Sequence, residues 1–174
     1  MIRKVTSFRF QTIFLTITII SSLVITSCNT STRESVLESN KRLIREMDDE
    51  VWNKGNVEII DEIFSPNFVW HFLPADSETR GLDSLREHVL SHREAFPNWT
   101  EEIKHIVAEG DLVIIHFVSR GTNEGSFLGN PPTGKQIQIN EMSIFRIADG
   151  KIAEQWLLPD LFSIQKQLAL SEKE

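Results

Sequence analysis

The chain has 174 residues, with 18 Lys and Arg against 25 Asp and Glu, a formal charge of −7 and one cysteine. That length holds one domain and not comfortably two, and one cysteine excludes an internal disulfide. The acidic balance speaks against a charge-driven grip on nucleic acid or anionic lipid.

Residues 1–27 contain Arg3, Lys4 and Arg9 and no acidic residue. Phe10 to Ile25 is apolar apart from Gln11 and hydroxyl residues, and Ile25-Thr26-Ser27 leads into Cys28. A basic start, an apolar run and small residues before a cut describe a secretory signal. Cys28 stands where a bacterial lipobox has its lipid-modified cysteine, so residues 1–27 resemble a lipoprotein signal peptide. An N-terminal membrane helix and a simple signal followed by a chance cysteine are the alternatives. The expectation is an exported protein of the bacterial cell envelope, lipid-anchored to a membrane through Cys28. Without the signal, 15 basic and 25 acidic residues leave a charge of −10, so acyl chains would be its only hold on the membrane.

Residues 28–36 read as a polar tether and 37–172 as the domain. Ser35 and Glu38 have the spacing of a capping box, and Leu37, Leu43, Ile44, Met47 and Val51 recur at helical spacing up to Gly55. Val57, Ile60, Ile63 and Phe64 suggest a short second helix ended by Ser65-Pro66. Phe68 to Phe72 is a short strand and Pro74 to Gly81 a loop. Leu82, Leu85, Val89, His92 and Phe96 trace a third helix closed by Pro97. Trp99 to Glu109 reads as a strand, and Leu112–Arg120, Ile137–Ile147 and Ile152–Asp160 alternate at period two. Asp149-Gly150 joins the last two as a tight hairpin turn, and Leu161, Ile164, Leu168 and Leu170 suggest a closing helix. Helices followed by a run of strands give an α+β fold, a curved antiparallel sheet with N-terminal helices enclosing a pocket.

Polar groups inside apolar strands are the candidate site. Asp160 ends the face of Trp156 and Leu158, and a carboxylate in an apolar pocket gains a raised pKa suited to general acid–base work. It could equally cap the last helix. His71 and His116 could orient such a group or donate to a substrate oxygen, or be satisfied core histidines. Glu141 would need a partner if buried. Trp70 and Trp156 fit packing, with Trp156 and Leu158 also placed on a pocket wall.

Other patterns carry less. His88 and His92 have the i, i+4 spacing of two metal ligands, but no third ligand has matching spacing. The run Gly129 to Lys135 nearly spells a phosphate loop, yet Gln136 stands where Ser or Thr is needed and two prolines remove N–H donors. Asn98-Trp99-Thr100 is a glycosylation sequon by pattern only. No Gly-x-Ser-x-Gly elbow occurs. Neither a cofactor nor a metal is expected.

The run GTNEGSFLGNPPTGK, then SIFRIADGKIAEQW, then an Asp four residues after the Trp, resembles the SnoaL-like polyketide cyclase (ester cyclase) family of the NTF2-like superfamily. FSPNFVWH, Gly81 before a helix and AFPNW extend the likeness, so it covers roughly Leu37 to Leu170. The resemblance implies an NTF2-like cone-shaped α+β barrel and cofactor-free proton transfer on a small apolar carbonyl compound. Asp160 would be the acid/base, helped by His71 and His116, with Trp156, Trp70, Glu141 and Leu158 as binding residues. A homodimer through the outer face of the sheet is also implied. The rival readings are a non-catalytic, small-ligand-binding envelope lipoprotein and an epoxide hydrolase or isomerase on the same fold.

Overall fold

Alternation of large apolar side chains makes the central strands. The structure, a computed structural model, describes residues 33–169. Strands β3 (Thr100–Glu109), β4 (Leu112–Thr122), β5 (Gln136–Ala148) and β6 (Lys151–Pro159) form an antiparallel meander. Asp149 and Gly150 both have positive φ, 52° and 73°, as a two-residue hairpin turn requires. β1 (Phe64–Phe72) pairs with β6 in parallel, and the edge strand β2 (Ser77–Arg80) pairs with β1, giving the order β2-β1-β6-β5-β4-β3. The expected α+β sheet is present, curved and unclosed, with one parallel pairing where an all-antiparallel sheet was expected. β2 replaces the loop expected at 74–81. Its four residues are all exposed and polar, so no apolar period announces it.

The compact unit that holds the sheet begins at Ser39. Within it α1 (39–47) widens into a π-helical turn, Asp48–Asn53. There follow α2 (Ile60–Ile63), α3 (Leu82–Ala95) and, after β6, α4 (Leu161–Leu168). Residues 33–38 are already helical, so Ser35 is not the N-cap that its spacing to Glu38 suggests. The signal segment and Cys28 lie outside the described residues. Among the described residues no helix is long and apolar enough to cross a membrane.

The helices cover the inner face of the sheet. Ile44, Met47 and Val51 join Leu85 and Val89 of α3 against Phe64, Phe68, Ile115, Phe117 and Phe145. Full burial of such a side chain stabilises by roughly 1.5–3 kcal/mol. A second cluster sets Ile164 and Leu168 of α4 against Ile137, Ile139, Phe96 and Trp99. Gln167 also clamps β5 at its end, accepting from the Gln138 N–H and donating to its carbonyl, both at 2.9 Å.

The connection from β4 to β5 is strapped to the end of α3. Ala95 O accepts from Glu124 N at 3.0 Å and Gly125 N at 3.1 Å. A Cβ at Gly125 would lie 2.4 Å from Glu94 O, a backbone atom that cannot swing aside. Gly125→Ala is therefore expected to cost roughly 1–3 kcal/mol, the usual range for overpacking. The check is a urea titration, in which the midpoint should fall while the slope stays unchanged.

Candidate functional site

The inner face of the sheet is lined by side chains of odd number on β4 and β5, because period-two register carries parity from strand to strand. Val113, Ile115, Phe117 and Ser119 face inward on β4, and Ile139, Glu141, Ser143 and Phe145 on β5. Glu101 pairs with Ser119 and so faces inward too. Between this face, the π-turn and α3 lies a cavity of about 60 Å³. Its walls include five large aromatic side chains, Trp52, Trp70, Trp99, Phe117 and Phe145.

Two carboxyl groups, Glu101 and Glu141, line it, and a third, Asp48, is buried beside Glu101. Glu141 is 7% exposed and accepts a hydrogen bond from Ser119 Oγ at 2.5 Å. Burial pushes its carboxyl up to about 7. Glu101 is held by Trp99, whose Nε1 donates to Oε1 at 2.9 Å. Burial raises its pKa well above the carboxylate range, and the charges of Glu141 and Asp48 raise it further. Asp48, 7% exposed, is pushed up to about 6, again mainly by burial. Asp48 Oδ2 accepts from Asn53 Nδ2 at 3.3 Å, but Oδ1 has no donor while Glu101 is ionised. A proton on Glu101 lets it donate to Asp48, which keeps Asp48 the stronger acid of the two. The pair therefore shares a proton, since like charges in an apolar site cannot all ionise.

The π-turn puts Asp48 in reach of β3. Asn53 Oδ1 accepts from Glu101 N at 2.6 Å, and its Nδ2 donates to Glu101 O at 3.2 Å, imitating a neighbouring strand. Arg93 of α3 donates to the carbonyls of Trp52 and Asn53 at 2.5 and 2.7 Å, and to those of Pro97 and Trp99 at 3.2 and 3.0 Å. His88 and His92 stand one helical turn apart on α3. Trp52 contacts both rings edge-on with centroids 6.0 Å apart, and Trp70 contacts His88 at 4.3 Å. His88 is exposed to solvent. Desolvation of the ring lowers its basicity, and it lowers that of His92 to about 3, so His92 is neutral over the working pH range. Trp70 Nε1 and His92 Nε2 are buried and find no hydrogen-bond partner among the described residues. Trp70 Nε1 can only donate, so it suits an acceptor such as a carbonyl oxygen.

Of the residues proposed from sequence as catalytic or substrate-binding, Glu141 and Trp70 face this cavity. The others do not. Asp160 is exposed and caps α4, accepting from Ser163 N at 3.0 Å and Ser163 Oγ at 2.6 Å. Those bonds hold its carboxyl below the usual range, the reverse of the expected rise. His71 lies on the outer face, stacked on Trp156 with centroids 4.9 Å apart and hydrogen-bonded to Glu154 at 3.2 Å. Glu154 is held ionised mainly by Arg146. Leu158 is outward and 50% exposed. His116 is outward as well, sharing a shallow surface depression with Asp160, Asn140, Met142 and Leu158. Glu101, His88 and His92 were missed as cavity groups, and Asp48 as the buried neighbour of Glu101. Parity with Trp99 and Ile103 could have placed Glu101 inside, and the i, i+4 relation to Ile44 could have placed Asp48 on the apolar stripe. Among the described residues no group of His, Cys, Asp and Glu is arranged to hold a metal ion.

The family model for SnoaL-like polyketide cyclase matches residues 42–168. No curated protein matches the chain. Solved structures do. A candidate SnoaL-like polyketide cyclase from Jannaschia sp. CCS1 shares 23% identity with a TM-score of 0.72, covering 78% of this chain and 95% of that one. IdmH, a candidate polyketide cyclase from Streptomyces antibioticus, shares 27% at a TM-score of 0.66, covering 75% and 99%. AclR, a candidate hydroxylase from Streptomyces galilaeus, shares 27% at 0.69, covering 79% and 85%.

Glu141 supplies a pH signature. Its folded pKa of about 7 lies above its ordinary 4.5. Its contribution to stability is therefore complete below the ordinary value and is lost as pH rises through about 7. Glu141→Gln stays neutral throughout. It should match the parent near pH 5 and exceed it near pH 8 by on the order of 2 kcal/mol, read from denaturant titrations at both pH values. An equal difference at the two pH values would show that Glu141 does not titrate in the cavity.

Proposed function

The chain belongs to the SnoaL-like polyketide cyclase family, and from that membership we propose a cofactor-free general acid–base enzyme acting on a small carbonyl compound. The observation that carries the reading is the pair Glu101 and Glu141 inside one cavity, with the buried Asp48 beside Glu101. Glu141, with a pKa near neutrality, is the base that removes a proton from the carbon beside the carbonyl. Trp70 Nε1–H holds the carbonyl oxygen as charge develops on it. Protonated Glu101, backed by Asp48, is the acid that returns a proton. Aromatic walls exclude water and keep these hydrogen bonds strong. A cavity of about 60 Å³ is far below the roughly 300 Å³ of a drug-sized pocket, so the substrate is small or the His88 edge opens to admit it.

Residues 1–28 extend the proposal to place. Their basic start, apolar run and single cysteine support export and lipid anchoring of the domain in a bacterial envelope. The second reading, ligand binding without turnover, rests on the same aromatic walls.

The test needs no known substrate. Small β-keto esters and 1,3-diketones are incubated with the protein in deuterated water, and exchange at the carbon between the carbonyls is followed by NMR. The parent should accelerate exchange, and Glu141→Gln should lose about 100-fold or more of that acceleration. Asp160→Asn should keep the rate and, because Asn caps a helix about as well as Asp, nearly all of the stability. Loss of exchange in Asp160→Asn with retention in Glu141→Gln would overturn the assignment. A ligand that co-purifies unchanged, with no exchange, would establish the binding reading.

A further inference from the structure

Ser119 stands on β4, between the two strands that carry the cavity carboxyls. It pairs directly with Glu101 of β3, and because Phe117 pairs with Glu141 of β5, Ser119 is the diagonal neighbour of Glu141. Diagonal positions lie roughly 7–8 Å apart, a gap that a long glutamate side chain spans toward a short hydroxyl. Ser119 is fully buried in an inward row otherwise made of Val113, Ile115 and Phe117, and its Oγ donates to Glu141 Oε1 at 2.5 Å. A serine hydroxyl has one proton to give, and Glu141 receives it. Among the described residues that is the one hydrogen bond found on the Glu141 carboxyl.

The other groups facing Glu141 bring it no positive charge. Glu101 of β3 and Asp48 of the π-turn are acidic, and His88 and His92 of α3 are neutral at neutral pH. β1 and β6 contribute Trp70, Gln155 and Leu157, none of which titrates. We propose that Ser119 is the positioning residue that makes Glu141, and not Glu101, the base of the cavity. It pins Oε1 and leaves Oε2 to take the proton from the substrate carbon, which rests on the reading of Glu141 as the base. Ser119 itself does not line the cavity and keeps its own proton throughout. A hydrogen bond to a carboxylate favours the charged form, against the burial that disfavours it. Glu101 has a donor too, Trp99 Nε1, but it bears the charges of Glu141 and Asp48 on top of its own burial. Two carboxyls whose surroundings separate their proton affinities divide into base and acid. The Ser119 proton lies on the Glu141 side of that division.

The experiment uses the full chain with glutamate labelled at its carboxyl carbon. Loss of one signal in Glu141→Gln identifies Glu141, and its titration is followed by NMR without substrate. The deuterium-exchange assay is run over the same pH series. The parent should show a midpoint of about 7 in both. Ser119→Ala should move both midpoints up by about 1 pH unit, the worth of one hydrogen bond to a charged group. Exchange lost at about pH 6 should then be largely regained at about pH 9. Ser119→Cys, whose thiol is a weak donor, should fall between the two. Denaturant titration checks that each variant folds. An unmoved Glu141 midpoint in Ser119→Ala would overturn the positioning role. A midpoint that moves by NMR while the exchange profile stays at the parent's would take the base away from Glu141, and the proposal with it.

Discussion

Four backbone carbonyls on one guanidinium decide where the cavity is. Arg93 reaches from α3 to the end of the π-turn and to the entry of β3, taking Trp52, Asn53, Pro97 and Trp99 together. These are the end of a helix and the start of a strand, places where carbonyls lack partners of their own. The helix that carries His88 and His92 is thereby fixed to the turn that carries Asp48 and Trp52. Asn53 completes the joint by holding Glu101 on both sides of its backbone. A change at Arg93 would act at a distance on Asp48, Glu101, His88 and His92.

What the joint holds together is electrostatically costly. Three carboxyls with aromatic walls and two neutral imidazoles cannot keep all their charges, and the protons they retain are what acid–base chemistry needs. The donors are unevenly shared: Ser119 serves Glu141, Trp99 serves Glu101 and Asn53 serves Asp48. Among the described residues each carboxyl has a neutral donor and none is in a salt bridge. Cationic partners such as Arg146 are instead spent on the outer face, where Glu154 stays ionised. The two faces of one sheet thus treat the same functional group in opposite ways.

Much of the sheet was legible because β4, β5 and β6 alternate and Asp149-Gly150 can only turn tightly. Which face was inner was not. β4 is apolar on both sides, Val113, Ile115 and Phe117 against Leu112, Ile114 and Val118, so alternation separates the two sets without ranking them. His116 fell on the solvent side for that reason. Asp160 was ambiguous between pocket and cap, and the first helical turn decided it, since Ser163 supplies two donors within reach. Asp48 and Glu101 were hidden by company: each stands next to exposed acidic residues, Asp49 and Glu102, and reads as part of a solvated run. The π-turn that turns Asp48 inward leaves no trace in composition. Membership of the family reached further than the residue roles did, because the fold depends on many apolar positions and the site on a few polar ones.

The parallel pairing of β1 with β6 has a consequence for assembly of the chain. β3 to β6 can zip by short turns from sequence neighbours, whereas Trp70 meets Gln155 only after a loop of some eighty residues closes. That pairing brings in the last aromatic wall of the cavity. Until it forms, Glu101 and Glu141 face water, ionise freely and repel each other. The closing step therefore takes up protons above the ordinary carboxylate range, and a more acidic compartment favours the closed domain.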